Sequence, residues 1–329
     1  MSHPIQELKE AIGAAQSIVI AGHKGPDGDC IGAGLALRNA LEPLGKDVTV
    51  LSNDPVPTIV EFLKGAHAVR VVRTEEEAYE IADDKFDLGI LVDVGFTERA
   101  GRAAPALESA ATLAVFDHHE MGPKVSGDLR VIDASASATC YLLFSLFEDL
   151  GLAIDPAVAD CLLTGIVTDT GCFRFGNTDP VSLHAAASLI ERGADLARIN
   201  EMVWNRRPAT QIQMLQRAFD HLRLSQSNRL AVTHLSQRDY EATGAHDEDT
   251  EGIASEIARI GTVDVAAVFR EAKAGHVRVS VRSRGDIDVA EVCRMFNGGG
   301  HKNAAGCTID AGVEEAMARM VPALEACLA

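Results

Sequence analysis

Four stretches of the sequence carry carboxylates and imidazoles to the ends of apolar runs. They are His23, Asp27 and Asp29 in "GHKGPDGDC" (22–30), Asp93 in "ILVDVG" (90–95), Asp117, His118 and His119 in "AVFDHHE" (114–120), and Asp169 in "TGIVTDTG" (164–171). Singly, each has an ordinary explanation: a turn at Asp27-Gly28-Asp29 or Asp169-Thr170-Gly171, a helix cap at Asp93, a hydrogen-bonded core histidine. Their coincidence on four independent segments points to chemistry instead. Carboxylates buried together are strongly unfavourable unless cations neutralise them. Asp27, Asp29, Asp93 and Asp169 supply four negative charges and two divalent ions four positive, with neutral His23 and His118 completing the shells. Oxygen and imidazole ligands without thiolate favour Mn²⁺ or Mg²⁺, with Co²⁺ or Zn²⁺ as alternatives. Cys30 and Cys172, close by in sequence, read as packing. Two such ions about 3.5–4 Å apart are a hydrolytic device that activates water and absorbs phosphoryl charge, so hydrolysis of a phosphoester or phosphoanhydride is expected.

Such residues need a scaffold that gathers strand ends. In open parallel sheets the ligand crevice lies outside the carboxyl ends of the strands. Short apolar runs at 17–23, 48–51, 68–72, 87–95 and 111–119 alternate with helical or turn segments, among them the helically spaced "CIGAGLALRNALEPLG" (30–45). That alternation predicts an α/β fold, a parallel sheet wrapped by helices. From about 136 the pattern becomes helical. Asp155-Pro156 and Asp179-Pro180 each offer an N-cap followed by proline at the first helical position, and Gly193 offers a stop. After about 221 strands return: "RLAVTHL" (229–235), a hairpin over 263–283 turning near Ala274-Gly275, a helix near 288–296, and "GGGHKNAAG" (298–306). The expected organisation is a catalytic, metal-binding domain over 1–190, a helical linker over 191–223 and a smaller α/β domain over 224–329.

Composition narrows the partners. Thirty Lys and Arg against 48 Asp and Glu leave a formal charge of −18, which disfavours tracking along a long duplex but not a small anion held in one pocket. Seven scattered cysteines without a CxxC pair fit a reduced, cytoplasmic setting. No uncharged run approaches about 18 residues, so neither a signal peptide nor a membrane span is expected. In "GGGHKNAAG" the glycines Gly298, Gly299 and Gly300 let backbone N–H groups approach an anion, and His301 and Lys302 add donors. Arg282, Ser283 and Arg284 on the preceding strand reinforce that reading. Arg99, shortly after Asp93, is either another phosphate contact or a solvated surface arginine.

The motifs "GHKGPDGDCIGAG" (22–34), "LVDVG" (91–95), "FDHHE" (116–120) and "TGIVTDTGCF" (164–173) occur in order and resemble those of the DHH superfamily of phosphoesterases. "VSVRS" (279–283) and "GGGHKNAAG" are similar to its companion DHHA1 domain. The resemblance implies one metal held by His23, Asp27 and Asp93 and a second by Asp29, Asp93, His118 and Asp169, with Asp93 bridging. It implies that His119 faces the substrate phosphate as hydrogen-bond donor or acid, that Asp117 orients the site, and that the second domain grips the terminal nucleotide. Lys24-Gly25 and Cys172 depart from the usual pattern without removing a ligand. A DHH plus DHHA1 chain of this length resembles the nanoRNase and pAp-phosphatase group, which degrades very short RNA to mononucleotides and 3′-phosphoadenosine 5′-phosphate (pAp) to AMP. RecJ-type exonucleases carry a further nucleic-acid-binding domain, and family II pyrophosphatases a different second domain. The alternatives are a soluble phosphodiesterase for cyclic di-AMP or pApA, and a nucleotide sensor without catalysis, which would be expected to lack ligands. Family analogy also admits a homodimer.

Overall fold

The computed structural model describes residues 3–119, 125–225 and 227–328; Glu120, the end of the "FDHHE" motif, lies outside them. The chain divides into two compact units, 1–206 and 207–329.

The first unit holds strands β1 (Ser17–Ala21), β2 (Asp47–Ser52), β3 (Arg70–Val71), β4 (Leu88–Val92), β5 (Thr112–Asp117) and β6 (Leu129–Ile132). Its helices are α1 (His3–Ala14), α2 (Gly28–Leu41), α3 (Glu75–Ala82), α4 (Ala104–Glu108), α5 (Thr139–Leu150), α6 (Pro156–Asp169), α7 (Pro180–Glu191) and α8 (Leu196–Asn200). All six strands are parallel, in the order β3-β2-β1-β4-β5-β6. Period-two alternation sends Ile18 and Ile20 of β1 into one apolar layer with α2, α5 and α6, and Val19 and Ala21 into another with α3 and α4. Both faces are covered, which is why these strands read as continuous apolar runs. The expected α/β architecture holds. The sequence reading did not include β6, an edge strand whose residues are only partly buried.

Local signals account for the helix ends. Asp155 and Asp179 cap α6 and α7, accepting from Val158 N (2.9 Å) and Ser182 N (2.7 Å), with Pro156 and Pro180 at the first helical positions. Gly193, with φ of 100°, follows the end of α7.

Helices α2 and α6 run antiparallel along a seam of small residues. A Cβ on Gly28 would come within 2.3 Å of Thr168, one on Gly32 within 2.6 Å of the Cys161 carbonyl, and one on Gly165 within 2.3 Å of Cys140 Sγ. These glycines let the start of α2 meet the end of α6.

The second unit contains α9 (Ala209–Asp220), β7 (Arg223–Leu224), β8 (Leu230–Leu235), α10 (Gln237–Thr243), α11 (Ile253–Ile257), β9 (Val265–Lys273), β10 (His276–Ser283), α12 (Val289–Arg294), β11 (Gly299–His301), β12 (Ala304–Ile309) and α13 (Val313–Ala326). Its sheet runs β11-β12-β10-β9-β8-β7, antiparallel except for β8 beside β9. The Gly-rich segment is a tight hairpin: β11, a turn at Lys302-Asn303, and β12. No helix among the described residues is long and apolar enough to cross a membrane.

Candidate metal centre

The strand order reverses direction between β1 and β4, so the loops leaving their carboxyl ends diverge and open a crevice. His23 follows β1, Asp93 follows β4 directly, and Asp117 ends β5 with His118 and His119 next. Asp29 lies in the first turn of α2, and Asp27 caps that helix, its Oδ1 accepting from Asp29 N and Cys30 N at 3.0 Å. Asp169 comes from a helix and not from a strand, as the helical pattern after Asp155-Pro156 predicts: it is the last residue of α6. The Gly28, Gly32 and Gly165 seam brings that helix end to the crevice.

Asp93 is the common element. Its side chain is buried, and its φ of 60° turns the chain sharply at the strand end, with Asp93 N bonded to Phe116 O at 2.8 Å. Oδ2 stands 3.3 Å from His23 Nε2, and Oδ1 stands 3.5 Å from His118 Nε2. His23 Nε2 also faces Asp27 Oδ2 at 3.8 Å. His118 Nε2 also faces Asp169 Oδ2 at 3.0 Å and Asp29 Oδ2 at 3.9 Å. The groups His23, Asp27, Asp93 and Asp29, His118, Asp169 therefore each converge closely enough to hold an ion, as do Asp93, His118 and His119. Both strand-end imidazoles turn Nδ1 toward a backbone carbonyl, Lys24 O at 2.9 Å and Ala136 O at 3.3 Å. An Nδ1–H donated there leaves the Nε2 lone pair facing the carboxylates, the tautomer a metal ligand needs.

The electrostatics bear the mark of crowded negative charge. Burial pushes Asp29 well above the usual carboxylate range, and Asp93 and Asp169 push it further. Burial lifts Asp169 to about 6 against the pull of His118. Burial would lower the two imidazoles, yet the carboxylates outweigh it: Asp27 and Asp93 hold His23 at about 11, and Asp169, Asp29 and Asp93 hold His118 at about 10. Protons on these rings do the neutralising that divalent ions would do. Cys30 and Cys140 are buried thiols raised by that burial and by the same carboxylates, so neither offers a thiolate. The donor set is oxygen and imidazole, as a hard or borderline divalent ion requires.

His119 borders the same cluster, its Nδ1 3.8 Å from Asp93 Oδ1, but its closest partner among the described residues is Asp117. Its Nδ1 lies 2.7 Å from Asp117 Oδ1, which also accepts from His119 N at 3.1 Å. That hydrogen bond, opposed by burial, raises the pKa of the ring. Asp117 is fully buried and its Oδ2 has no hydrogen-bond partner among the described residues. Arg99 lies on the exposed turn after β4, its carbonyl accepting from Lys24 N at 2.8 Å.

Residue types alone did not reveal several supports. Thr139 N (2.6 Å) and Cys140 N (2.9 Å) donate to the two oxygens of Asp29, which thereby caps α5, and Thr139 Oγ1 donates to Asp93 Oδ1 at 3.1 Å. Asn177 Nδ2 donates to Asp169 O at 3.2 Å and to Ser137 O at 3.1 Å.

The remaining candidates lie in the second unit. Arg282 is half-buried on β10, and burial followed by the neighbouring Arg270 lowers its pKa. Ser283 Oγ donates to Ile287 O and accepts from Asn303 Nδ2, a local brace. Gly298 and Gly300 have packing reasons of their own: a Cβ would meet Gly306 O at 2.2 Å and Ala304 O at 2.5 Å. Gly299 has open space, and His301 is exposed.

Residues 17–166 match the DHH family, N-terminal domain, and residues 228–329 match the DHHA1 domain. The bifunctional oligoribonuclease and PAP phosphatase NrnA of Thermus thermophilus is 31% identical over 292 residues, 89% of this chain and 84% of that protein. The chain belongs to the DHH family. That membership makes it a phosphoesterase of the hydrolase class. The cyclic-di-AMP phosphodiesterase GdpP of Bacillus subtilis is 28% identical over 97% of this chain, which spans 49% of that relative. In fold, the DHH chain is similar to an exopolyphosphatase-related protein from Bacteroides fragilis, with a TM-score of 0.91 at 24% identity, covering 99% of this chain and 96% of that one.

Proposed function

We propose that this DHH protein is a two-metal phosphoesterase that cuts very short oligoribonucleotides to mononucleotides and pAp to AMP. The observation that carries the reading is Asp93, whose two oxygens each face a different imidazole and each imidazole a further carboxylate. On this reading His23, Asp27 and Asp93 hold one ion and Asp29, Asp93, His118 and Asp169 the other, with Mn²⁺ as the favoured metal. Divalent ions there would lower the pKa of the attacking water and offset charge on the phosphoryl oxygens.

The chain's own groups do the rest. Buried Asp117 holds the His119 ring through Nδ1 and favours its protonated form, so His119 is ready to donate a hydrogen bond or proton to the ester. Thr139 and the α5 amides hold Asp93 and Asp29 in place. Arg282, Ser283, the Gly298–Gly300 segment and His301 are assigned to gripping the nucleotide, and Arg99 to a lesser phosphate contact. A net charge of −18 favours substrates that fit a local basic pocket over long duplexes. Seven free cysteines accord with a reducing, cytoplasmic setting.

Likeness to GdpP supports a second reading, cleavage of cyclic di-AMP or its linear product pApA at the same centre. The deciding experiment is Mn²⁺-dependent hydrolysis of end-labelled RNAs from dinucleotides to about twenty nucleotides, with pAp, cyclic di-AMP and pApA in parallel. Fast loss of the shortest RNAs together with pAp is the expected result. Turnover of cyclic di-AMP or pApA alone would replace the first reading with the second.

A further inference from the structure

The sheet of the second unit has two unlike faces. Val277, Val279 and Val281 of β10 pack with α12 and α13 on one side. On the other side, residues paired across antiparallel strands share a face. Register therefore sets Arg270 of β9 beside Arg278 of β10. It sets Ser280 beside Gly306, and Gly306 beside Gly299. A third row brings Arg282 to Ala304, and Ala304 to His301. Helices α9, α10 and α11 cover the β8 and β9 end of this face. Along β10 and β12, alternate residues stay half-exposed or exposed. A bare Gly299 is no packing necessity, since a Cβ there would meet nothing.

A pocket of about 460 Å³ lies between this strip and the acidic turn 247–251. Arg270 is only 8% exposed in it. Its Nη1 donates to Thr250 Oγ1 at 2.8 Å and its Nη2 to Ser280 Oγ at 3.0 Å, but its buried Nε has no partner among the described residues. A buried cationic donor left unsatisfied costs on the order of 1–3 kcal/mol or more. Asp247 stands between the two arginines, 3.4 Å from Arg270 Nη1 and hydrogen-bonded to Arg278 Nη1. It offers one carboxylate to two forked guanidinium groups, where a terminal phosphate monoester would offer more charge and an additional oxygen and an internal phosphodiester an equal charge and the same two oxygens.

We propose that Arg270 and Arg278 form a second phosphate subsite, which takes a phosphate of the oligonucleotide other than the one being hydrolysed and displaces Asp247, a competitor built into the chain. The proposal rests on the short-RNA reading above. Arg278 and Arg282 are four residues apart on β10, about 13 Å, a span suited to phosphates on different nucleotides. The subsite thus rewards chain length, favouring a trinucleotide over pAp.

The test uses the full chain and compares KM for an RNA trinucleotide with KM for pAp. Arg278→Ala should raise the ratio of the first to the second by about tenfold, the loss of one charge-assisted contact. Asp247→Asn should lower that ratio, because it removes the competitor. Equal changes in both KM values, or Asp247→Asn acting in the same direction as Arg278→Ala, would mean an internal ion-pair cluster and overturn the proposal. Inorganic phosphate separates a substrate subsite from an effector site. Competition with the trinucleotide through Arg278 supports the subsite, whereas an Arg278-dependent effect on pAp hydrolysis overturns it in favour of an effector. If the unaltered protein cleaved neither substrate, the functional reading itself would fail; inorganic phosphate binding, weaker after Arg278→Ala and tighter after Asp247→Asn, would then judge the arginine pocket alone.

Discussion

On the proposed assignment Asp93 is one carboxylate with two tasks, and the consequence of losing it is correspondingly sharp. Asp93→Ala should abolish hydrolysis and weaken ion binding at both halves of the centre, read by activity and by Mn²⁺ titration; near-normal turnover would sink the two-ion assignment. His119→Gln should lower kcat by about 10²–10⁴, the range for a proton donor, and Asp117→Asn by about 10–100-fold, since it acts through the ring it holds. Intact kcat in both variants would remove that pair from the reaction. These side chains were legible in the sequence because their residue types advertise charge and ligation. The amides of Thr139 and Cys140 were not, because a backbone donor has no residue type and only folding brings it 2.6 Å from Asp29.

Among the elements, α6 teaches most about what a sequence conceals. Its helical spacing and its Asp155-Pro156 start were legible, but the place its end would occupy was not, because packing on α2 sets it. Gly165→Ala should therefore destabilise the protein by about 1–3 kcal/mol in urea unfolding and weaken Mn²⁺ binding, because the new methyl would press on Asp29 Oδ1, 2.4 Å away, as well as on Cys140. Gly13→Ala on α1, where a Cβ meets nothing, serves as the control and should be neutral or stabilising by about 0.5–1 kcal/mol. A Gly165 variant as stable and as metal-avid as the control would refute the seam. Strands β1 to β5 were legible as apolar runs, whereas β6 is short and half-exposed and gives a weak signal. The hairpin in the Gly-rich segment gave no strand signal because glycine is poor in strands; cross-strand pairing with β12 makes it.

For the whole molecule, pH and metal act on one equilibrium. In the metal-free fold, carboxylates hold His23 at about 11 and His118 at about 10, against an ordinary 6.5. Between those limits the folded chain keeps protons that the unfolded chain has released. Their stabilising contribution is complete below about 6.5 and is lost as pH climbs through 10 to 11. Chelator-treated protein should consequently melt at a lower temperature at pH 9.5 than at pH 7, and Mn²⁺ should bind more tightly at the higher pH while releasing protons, measurable by titration calorimetry in buffers of different ionisation heat. Ion binding without proton release at pH 7 would contradict the protonated imidazoles.

The shared carboxylate also constrains redesign. On the proposed assignment, an engineer who wished to fit a different ion into one half of the centre could alter His23 or Asp27 on one side, or Asp29, His118 or Asp169 on the other. The residue between them offers no such freedom: because each Asp93 oxygen faces a different half, any change there is felt twice. Filling one half should also fix that side chain for its neighbour, so the two ions should load as a cooperative pair.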